Sequence, residues 1–327
     1  MGRAVAVSPR VRGGAARALR ETLGVRIKEY PTARMSAEAL ERDPRARAAD
    51  VNAAFTDPEV SAIIASIGGD DSVRILPYLD ANAIRDNPKI LLGYSDTTTL
   101  LTFANQLGLV TFNGPSVMAG WAQVSSFPPE CLSAWRAVLS EPAPRLRFEP
   151  FPWYVSGYTD WSDANAAHEL KPAQPNADGW RWLQGYGVAR GRLFGGCIEV
   201  LEFMKGTAFW PEPAFFDDKI LFLETSEEAP PVREVGRMLR NYGVQGVFER
   251  LSALVVGRAR GYTEAMKRQL EQRLVSVVAD EFGCRALPIV ANFDVGHTDP
   301  QYILPLGIEA RVDCEERSIE LVEPAVL

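Results

Sequence analysis

The sequence predicts an α/β fold, with an N-terminal parallel-sheet α/β domain and a C-terminal domain of mixed β and α structure. Short apolar runs alternate with amphipathic segments through the first 120 residues. Glycines or polar turns separate the two kinds of segment. The same alternation resumes after residue 188 and ends in two strand-like runs. Such alternation favours a parallel sheet with right-handed crossovers, whose functional loops follow the carboxyl ends of the strands.

Local patterns place each element of the N-terminal half. The apolar run AIIASI at 62–67 stops at Gly68-Gly69 and leads into a predicted helix over 71–79. The run KILLGY at 89–94 has the continuous apolar character of a strand buried on both faces. Ser95 and Asp96 follow it and begin the predicted helix TTTLLTFANQLG. A strand at AVAV and a helix over 15–23 precede these units, and the strand LVTFNG follows them.

The remaining two thirds of the chain divide into a connector and a second α/β region. Periodicity fades between 125 and 187, where prolines cluster and tryptophans recur. Strands at KILFLE and ALVVGRA, helices at VREVGRMLRNYG and over 264–282, and two final strands around the turn 315–317 follow. We therefore predict an N-terminal α/β domain over 1–124, a connector with an aromatic loop over 125–187, and a C-terminal domain over 188–327.

Composition and charge narrow the classes of function. The 327 residues carry a net charge of −7, and their basic residues are scattered, which disfavours binding to a nucleic-acid polymer. No apolar run has the length of a signal peptide core or a membrane span, so we expect a cytoplasmic protein that does not bind membranes. The four cysteines are far apart in sequence, which argues against a zinc cluster or a redox dithiol.

Ser95 occupies a position suited to a nucleophile. It follows the strand at 89–94 and begins the next helix, so its hydroxyl would protrude at a tight strand-to-helix turn. N–H groups at the start of that helix would face developing negative charge, as acyl transfer requires. The alternative is that Ser95 or Asp96 only caps the helix. Thr97 stands where the esterase motif G-x-S-x-G ends in glycine, which disfavours an ordinary α/β-hydrolase.

Histidine and glutamate residues could complete a catalytic set with this serine. The chain has two histidines: His297 follows an apolar strand in the loop FDVGHTDP, and His168 lies in a polar segment. A surface or packing role is the alternative for each of them. Glu224 ends the strand KILFLE, where burial of a carboxylate without a partner is costly. Glu227 and Glu228 are rivals for the same role, but they fall past the end of the strand.

Five blocks of the sequence resemble the serine LD-carboxypeptidases. They run in order between residues 50 and 307 and read IGGDDSVRILPYLD, KILLGYSDTTTL, GRLFGGCIEVLEF, ILFLETSEE and ANFDVGHTDPQYILPLG. Within that family the chain is more similar to the microcin C self-immunity peptidases. Murein-recycling members usually show an arginine before the glycine pair, whereas this chain has Ile67 there.

The resemblance implies a Ser-Glu-His triad formed by Ser95, Glu224 and His297, with His297 as the general base. It also implies that the backbone N–H groups of Gly69 and Asp96 form the oxyanion hole. Such a mechanism requires no metal ion and no cofactor. The resemblance further implies a homodimer.

The resemblance also extends to substrate contacts, which we expect at Gly68, Asp70, Trp180 and Trp182. The two tryptophans lie in GWRWLQG and alternate in the manner of a strand, so one faces the core and only the other can face a ligand. Aromatic faces stack on nucleobases. We therefore expect Trp182 to form an aromatic wall for a nucleobase beside the triad.

Three functions are compatible with this sequence. The first is serine-catalysed amide hydrolysis of aminoacyl or peptidyl nucleotides, in the manner of microcin C immunity. The second is LD-carboxypeptidase action on murein tetrapeptides in the cytoplasm. The third is ligand binding without catalysis on the same fold, which an intact triad disfavours. The aromatic connector and Ile67 favour the first over the second.

The two histidines provide a direct test of the predicted base. We expect His297→Ala to lower kcat by at least about a thousandfold, because members of a triad act as a unit. His168→Ala is the matched control and should retain nearly full activity. Steady-state assays of both purified variants on one amide substrate check this prediction, and the reverse ranking would assign the base to His168.

Overall fold

The computed structural model describes residues 17–159 and 169–327 and contains a four-stranded sheet, an eight-stranded sheet and a small three-stranded sheet. The predicted strand AVAV lies outside the described residues. The strands, in chain order, are β1 (Ala62–Ile64), β2 (Ile90–Gly93), β3 (Thr111–Asn113), β4 (Leu146–Phe148), β5 (Trp153–Ser156), β6 (Gln174–Pro175), β7 (Arg181–Gln184), β8 (Val188–Cys197), β9 (Lys219–Glu224), β10 (Ala253–Gly257), β11 (Ile289–Phe293), β12 (Thr298–Asp299), β13 (Leu304–Leu306), β14 (Glu309–Asp313) and β15 (Ser318–Leu321). The three-stranded sheet has the order β12-β5-β6.

The four-stranded sheet contains the N-terminal strands and confirms the predicted parallel arrangement. Its order is β1-β2-β3-β13, with β1, β2 and β3 mutually parallel. The fourth strand, β13, comes from near the end of the chain and pairs antiparallel with β3. A segment between β11 and β14, two strands of the larger sheet, therefore completes the N-terminal sheet and joins the two halves of the protein.

The larger sheet is mixed, as predicted for the C-terminal half. Its order is β4-β15-β14-β8-β9-β10-β11-β7, and β8 to β11 form a parallel centre. Strands on both sides of that centre are antiparallel to it. The second half of β8 and most of β9, β10 and β11 are buried, and each large apolar side chain there contributes about 1.5–3 kcal/mol on burial. Two strands of the predicted connector, β4 and β7, form the edges of this sheet.

Helices cover the sheets and follow most of the predicted segments. They are α1 (Ala37–Arg42), α2 (Pro44–Thr56), α3 (Ala81–Asp86), α4 (Thr98–Gln106), α5 (Pro129–Leu139), α6 (Ile198–Met204), α7 (Val232–Val244) and α8 (Glu264–Val275). The helix predicted over 71–79 is a 3-10 helix, Ser72–Tyr78, that contains Pro77, a residue without the N–H needed inside an α-helix. Helix α8 continues as a π-helix over Ser276–Glu281. Among the described residues, no helix has the length and apolar character needed to cross a bilayer.

A close contact between β8 and α4 joins the two halves at the centre of the molecule. Gly196 has a φ of 151°, and a Cβ on it would lie 2.5 Å from Cγ2 of Thr98. The next residue, Cys197, donates its backbone N–H to Oγ1 of Thr98 at 3.2 Å. Glycine is required at this position because any side chain would push β8 away from the helix that follows Ser95.

Replacement of Gly196 by alanine tests this contact. We expect Gly196→Ala to lower the free energy of unfolding by about 1–3 kcal/mol, because the added methyl group overpacks the contact with Thr98. Gly108→Ala is the control, since Gly108 also has a positive φ, 95°, but nothing lies within 4 Å of its Cβ position. Urea unfolding of both variants checks the difference, and equal losses would show that the contact has room for a side chain.

Candidate active site

Ser95 lies on a strained turn between β2 and α4. Its φ of 58° is in the left-handed region, which costs a residue with a side chain about 1–2 kcal/mol. The residue begins a 3-10 turn over Ser95–Thr97 that leads directly into α4. A Cβ on Gly93, two residues before Ser95, would lie 2.7 Å from Cγ2 of Thr97, so position 93 has to be glycine. Ser95 is 9% exposed, and backbone strain of this kind is typical of a nucleophile on a strand-to-helix turn.

The Gly68-Gly69 turn lies directly against this serine. A Cβ on Gly68 would lie 3.0 Å from Oγ of Ser95 and 3.6 Å from the backbone N of Asp96. The loops after β1 and β2 therefore meet at the hydroxyl, which is the arrangement that backbone oxyanion donors require. Asp70 is exposed at the outer end of the same turn.

The side chain of Asp96 fixes the loop that follows the glycine turn. Its Oδ2 accepts a hydrogen bond from the backbone N–H of Ser72 at 3.0 Å, and its Oδ1 accepts one from the Ser72 hydroxyl at 2.8 Å. Burial raises the pKa of the Asp96 carboxyl, whereas these hydrogen bonds lower it. Asp96 thus connects the two loops through its carboxylate, and its backbone N–H lies beside Gly68 and Ser95.

His297 and Glu224 form a buried hydrogen-bonded pair. Nδ1 of His297 donates to Oε2 of Glu224 at 2.7 Å, and the two side chains are 2% and 0% exposed. Gly296 has a φ of 100°, and a Cβ on it would lie 2.5 Å from the same carboxylate oxygen. The glycine before the histidine therefore makes room for Glu224. The ring of Tyr94, the residue before Ser95, packs on the His297 ring with centroids 4.9 Å apart.

Glu227 contacts the other nitrogen of the same imidazole. Its Oε2 lies 2.9 Å from Nε2 of His297, and its side chain is 52% exposed. Sequence reasoning set Glu227 aside because it falls past the end of β9. The turn after Glu224 returns the chain toward the strand end, so a carboxylate three residues on reaches the histidine. The charged turn TSEE directly after a buried glutamate was the signal available in the sequence.

Electrostatics make this histidine a cation in the free protein. Burial alone would lower the pKa of His297, but the charges of Glu224 and Glu227 and the hydrogen bonds to them outweigh burial and raise it to about 10. The hydrogen bond to His297 lowers the pKa of the Glu227 carboxyl to about 2. Both ring nitrogens are therefore donors, and each faces a carboxylate.

A buried ion pair holds the loop that carries His297. Arg258 and Asp294 form a salt bridge with both side chains 0% exposed. Nη1 of Arg258 also donates to Oγ1 of Thr298 at 3.2 Å, and Oδ2 of Asp294 accepts from Nε1 of Trp180 at 2.8 Å. Because Asp294 and Thr298 lie on either side of His297 in sequence, this network fixes both ends of the histidine loop.

The two tryptophans expected near the ligand occupy different environments. Trp180 is 8% exposed, binds Asp294 and packs on Phe293, so it is the core-facing member of the pair. Trp182 is partly buried against the core, and β7 pairs it with Val290 near the start of β11. His297 follows the end of that strand. The stacking of Trp182 on a nucleobase stays a prediction.

Further polar side chains surround the histidine. Asp299 is 2% exposed, and burial raises the pKa of its carboxyl to about 6. Tyr94 and Tyr158 share a hydrogen bond between their hydroxyl groups, and the guanidinium of Arg260 stacks on the Tyr158 ring at 4.8 Å. In the part of the chain that the structure describes, no group of three or more His, Cys, Asp and Glu side chains could hold a metal ion. His168 lies outside that part.

The structure thus assembles two groups from the predicted site residues. Gly68, Ser95 and Asp96 meet at one loop cluster, and Glu224 and His297 meet at the other. The Tyr94 ring links the clusters through its contact with His297. A serine on a strained turn and a buried histidine–glutamate pair are the groups that serine hydrolases use.

Comparison with known proteins identifies the class. The chain matches the LD-carboxypeptidase N-terminal domain over residues 3–114 and the LD-carboxypeptidase C-terminal domain over residues 190–312. It is 32% identical over 280 residues to a carboxypeptidase homologue of Vibrio cholerae, covering 85% of this chain and 79% of that protein. The chain belongs to the LD-carboxypeptidase family and is a hydrolase of that type. The match to the N-terminal domain begins at residue 3, whereas the five resembling sequence blocks lie between residues 50 and 307.

The relatives include microcin C self-immunity proteins. The microcin C7 self-immunity protein MccF of Escherichia coli is 28% identical over 279 residues, 85% of this chain and 78% of that protein. The crystal structure of an MccF-like protein from Streptococcus pneumoniae in complex with AMP superposes with a TM-score of 0.83 and 27% identity, covering 95% of this chain and 93% of that one. MccF in complex with glutamyl sulfamoyl guanosine gives a TM-score of 0.74 and 26% identity, with 87% and 82% covered.

The buried ion pair generates a stability prediction. We expect Asp294→Asn to lower the free energy of unfolding by about 3–5 kcal/mol, because it leaves the Arg258 guanidinium buried without a countercharge. Asp217→Asn is the matched control, since it breaks an exposed pair with Arg250 and should change the free energy of unfolding very little. Chemical denaturation checks both variants. Similar losses for the two would mean that the Arg258 network does not stabilise the histidine loop.

Proposed function

We propose that the protein is a serine hydrolase that cleaves the amide-type bond of aminoacyl or peptidyl nucleotides. The observation that carries the proposal is the buried bond between His297 and Glu224, found together with a serine on a strained turn. Glu224 holds Nδ1, so Nε2 is the nitrogen that serves as the base. Ser95 is the nucleophile, and the Tyr94 contact supports its placement near the imidazole.

The reaction proceeds through an acyl-enzyme. Nε2 of His297 takes the Ser95 proton as Oγ attacks the carbonyl carbon, and the backbone N–H groups of Gly69 and Asp96 stabilise the oxyanion. The imidazolium then returns the proton to the leaving nitrogen as the carbon–nitrogen bond breaks. Water attacks the ester in the second half of the cycle, again with His297 as base, and regenerates the serine. Glu224 stabilises the imidazolium in both halves.

The relatives support a nucleotide substrate. Structures of MccF hold glutamyl sulfamoyl guanosine and aspartyl sulfamoyl adenosine, and an MccF-like protein holds AMP. Ile67 before the glycine pair supports the same branch. A murein peptide is the competing substrate, because a murein peptide carboxypeptidase homologue of Bacillus subtilis is 26% identical over 299 residues. The homodimer and the cytoplasmic location stay predictions from the sequence.

Replacement of the nucleophile tests the mechanism and the substrate together. We expect Ser95→Ala to fold normally and to lose at least about a thousandfold in kcat on an aminoacyl-sulfamoyl adenosine, because the hydroxyl forms the acyl-enzyme. Ser126→Ala, an exposed serine, is the control. The wild-type protein is assayed in parallel on a murein tetrapeptide. Turnover of the tetrapeptide alone would assign the murein reaction, and undiminished turnover by Ser95→Ala would exclude the serine mechanism.

A further inference from the structure

Glu227 closes the solvent side of the buried histidine. The His297 and Glu224 side chains are almost completely buried, whereas the Glu227 side chain is half exposed and its Oε2 lies 2.9 Å from Nε2. Nε2 is the nitrogen that has to accept the serine proton. In the free protein this position is therefore occupied by a carboxylate, and the imidazole has no lone pair available for catalysis.

Several charged groups set the protonation of this imidazole. The carboxylates of Glu224 and Glu227 raise the pKa of His297 to about 10 against the effect of burial. The carboxyl of Asp299 and the ring of Tyr94 also face the imidazole. The positive charge of Arg260 favours the anionic form of both Glu227 and Asp299, although burial keeps the pKa of Asp299 raised to about 6. At neutral pH the histidine is held as an imidazolium until Glu227 leaves Nε2.

A competing cation is the chemical group that can draw this carboxylate away. Glu227 stays ionised after leaving the imidazole, because the charge of Arg260 also favours its anionic form. An aminoacyl nucleotide carries an α-ammonium group one carbon from the scissile carbonyl. Since Nε2 has to lie beside the reacting serine and the leaving nitrogen, that ammonium group enters the site close to Glu227. Glu227 then forms a charge-assisted hydrogen bond with the ammonium group in place of its bond with the imidazolium.

We propose that Glu227 is a specificity-determining residue that binds the substrate ammonium group and thereby releases His297 to act as the base. This inference rests on the proposed hydrolysis of aminoacyl compounds. When Glu227 moves to the ammonium group, the Nε2 proton passes to water and leaves a neutral imidazole. Nδ1 stays bonded to Glu224. A substrate without the ammonium group leaves Glu227 on the histidine and is turned over slowly.

The first experiment compares a substrate with its amine-masked derivative. An aminoacyl-sulfamoyl adenosine and its N-acetyl form are assayed with the wild type, Glu227→Gln and the control Glu228→Gln, whose exposed side chain lies on the same turn. We expect the wild type and the control to prefer the free amine by about tenfold or more in kcat/KM, as for a charged hydrogen bond. Glu227→Gln should lose this preference, and the acid limb of its kcat/KM profile should move to lower pH. The proposal is overturned if Glu227→Gln still prefers the free amine and its acid limb stays at the wild-type pH.

The second experiment does not depend on turnover. With two histidines in the chain, His168→Ala leaves only the His297 ring for observation by nitrogen-15 NMR. We expect the ring to remain protonated above pH 8 with Glu227 and to titrate at lower pH in Glu227→Gln. In a Ser95→Ala background, the free-amine compound should lower the His297 pKa, and the N-acetyl compound should not. The same His297 pKa with and without Glu227 would overturn the proposal. If the His297 pKa shifts as expected but the protein hydrolyses neither compound, only the proposed function is rejected.

Discussion

The buried hydrogen bond between Glu224 and His297 constrains the whole C-terminal half. A carboxylate removed from water needs a partner, and the partner has to come from the loop after β11. Two glycines make room for the Glu224 side chain, because a Cβ on Gly257 would lie 2.9 Å from its Cβ and a Cβ on Gly296 would lie 2.5 Å from its Oε2. The ends of β9, β10 and β11 are therefore shaped around one side chain.

The path of the chain explains how the two loop clusters come together. After His297 the chain enters β13, which pairs with β3 of the N-terminal sheet, and then returns to the larger sheet as β14 and β15. On the opposite side, Gly196 packs against Thr98 at the start of α4. Two contacts thus join the halves that carry the serine and the histidine: the pairing of β13 with β3 and the packing of Gly196 on Thr98. Neither half forms the site alone.

Local patterns predicted the parts of the fold that depend on local forces. Strand β9 was predicted with its observed bounds, because four continuously apolar residues lie between Lys219 and the buried Glu224. The joining of β13 to the N-terminal sheet and of β4 and β7 to the larger one was not predicted, since these short strands are selected by partners distant in sequence. Glu227 was named only as a rival to Glu224, and its contact with Nε2 of His297 was not predicted because it depends on the order in which the parallel strands pair.

The positive φ of Ser95 sets stability and chemistry against each other. A glycine at this position would adopt the same positive φ without the steric penalty that a side chain incurs. Selection for thermal resistance alone would therefore favour loss of the serine hydroxyl, whereas selection for turnover retains it. Directed evolution of this scaffold needs an activity screen at every round, because replacement of Ser95 by glycine relieves the backbone strain and also removes the reactive hydroxyl.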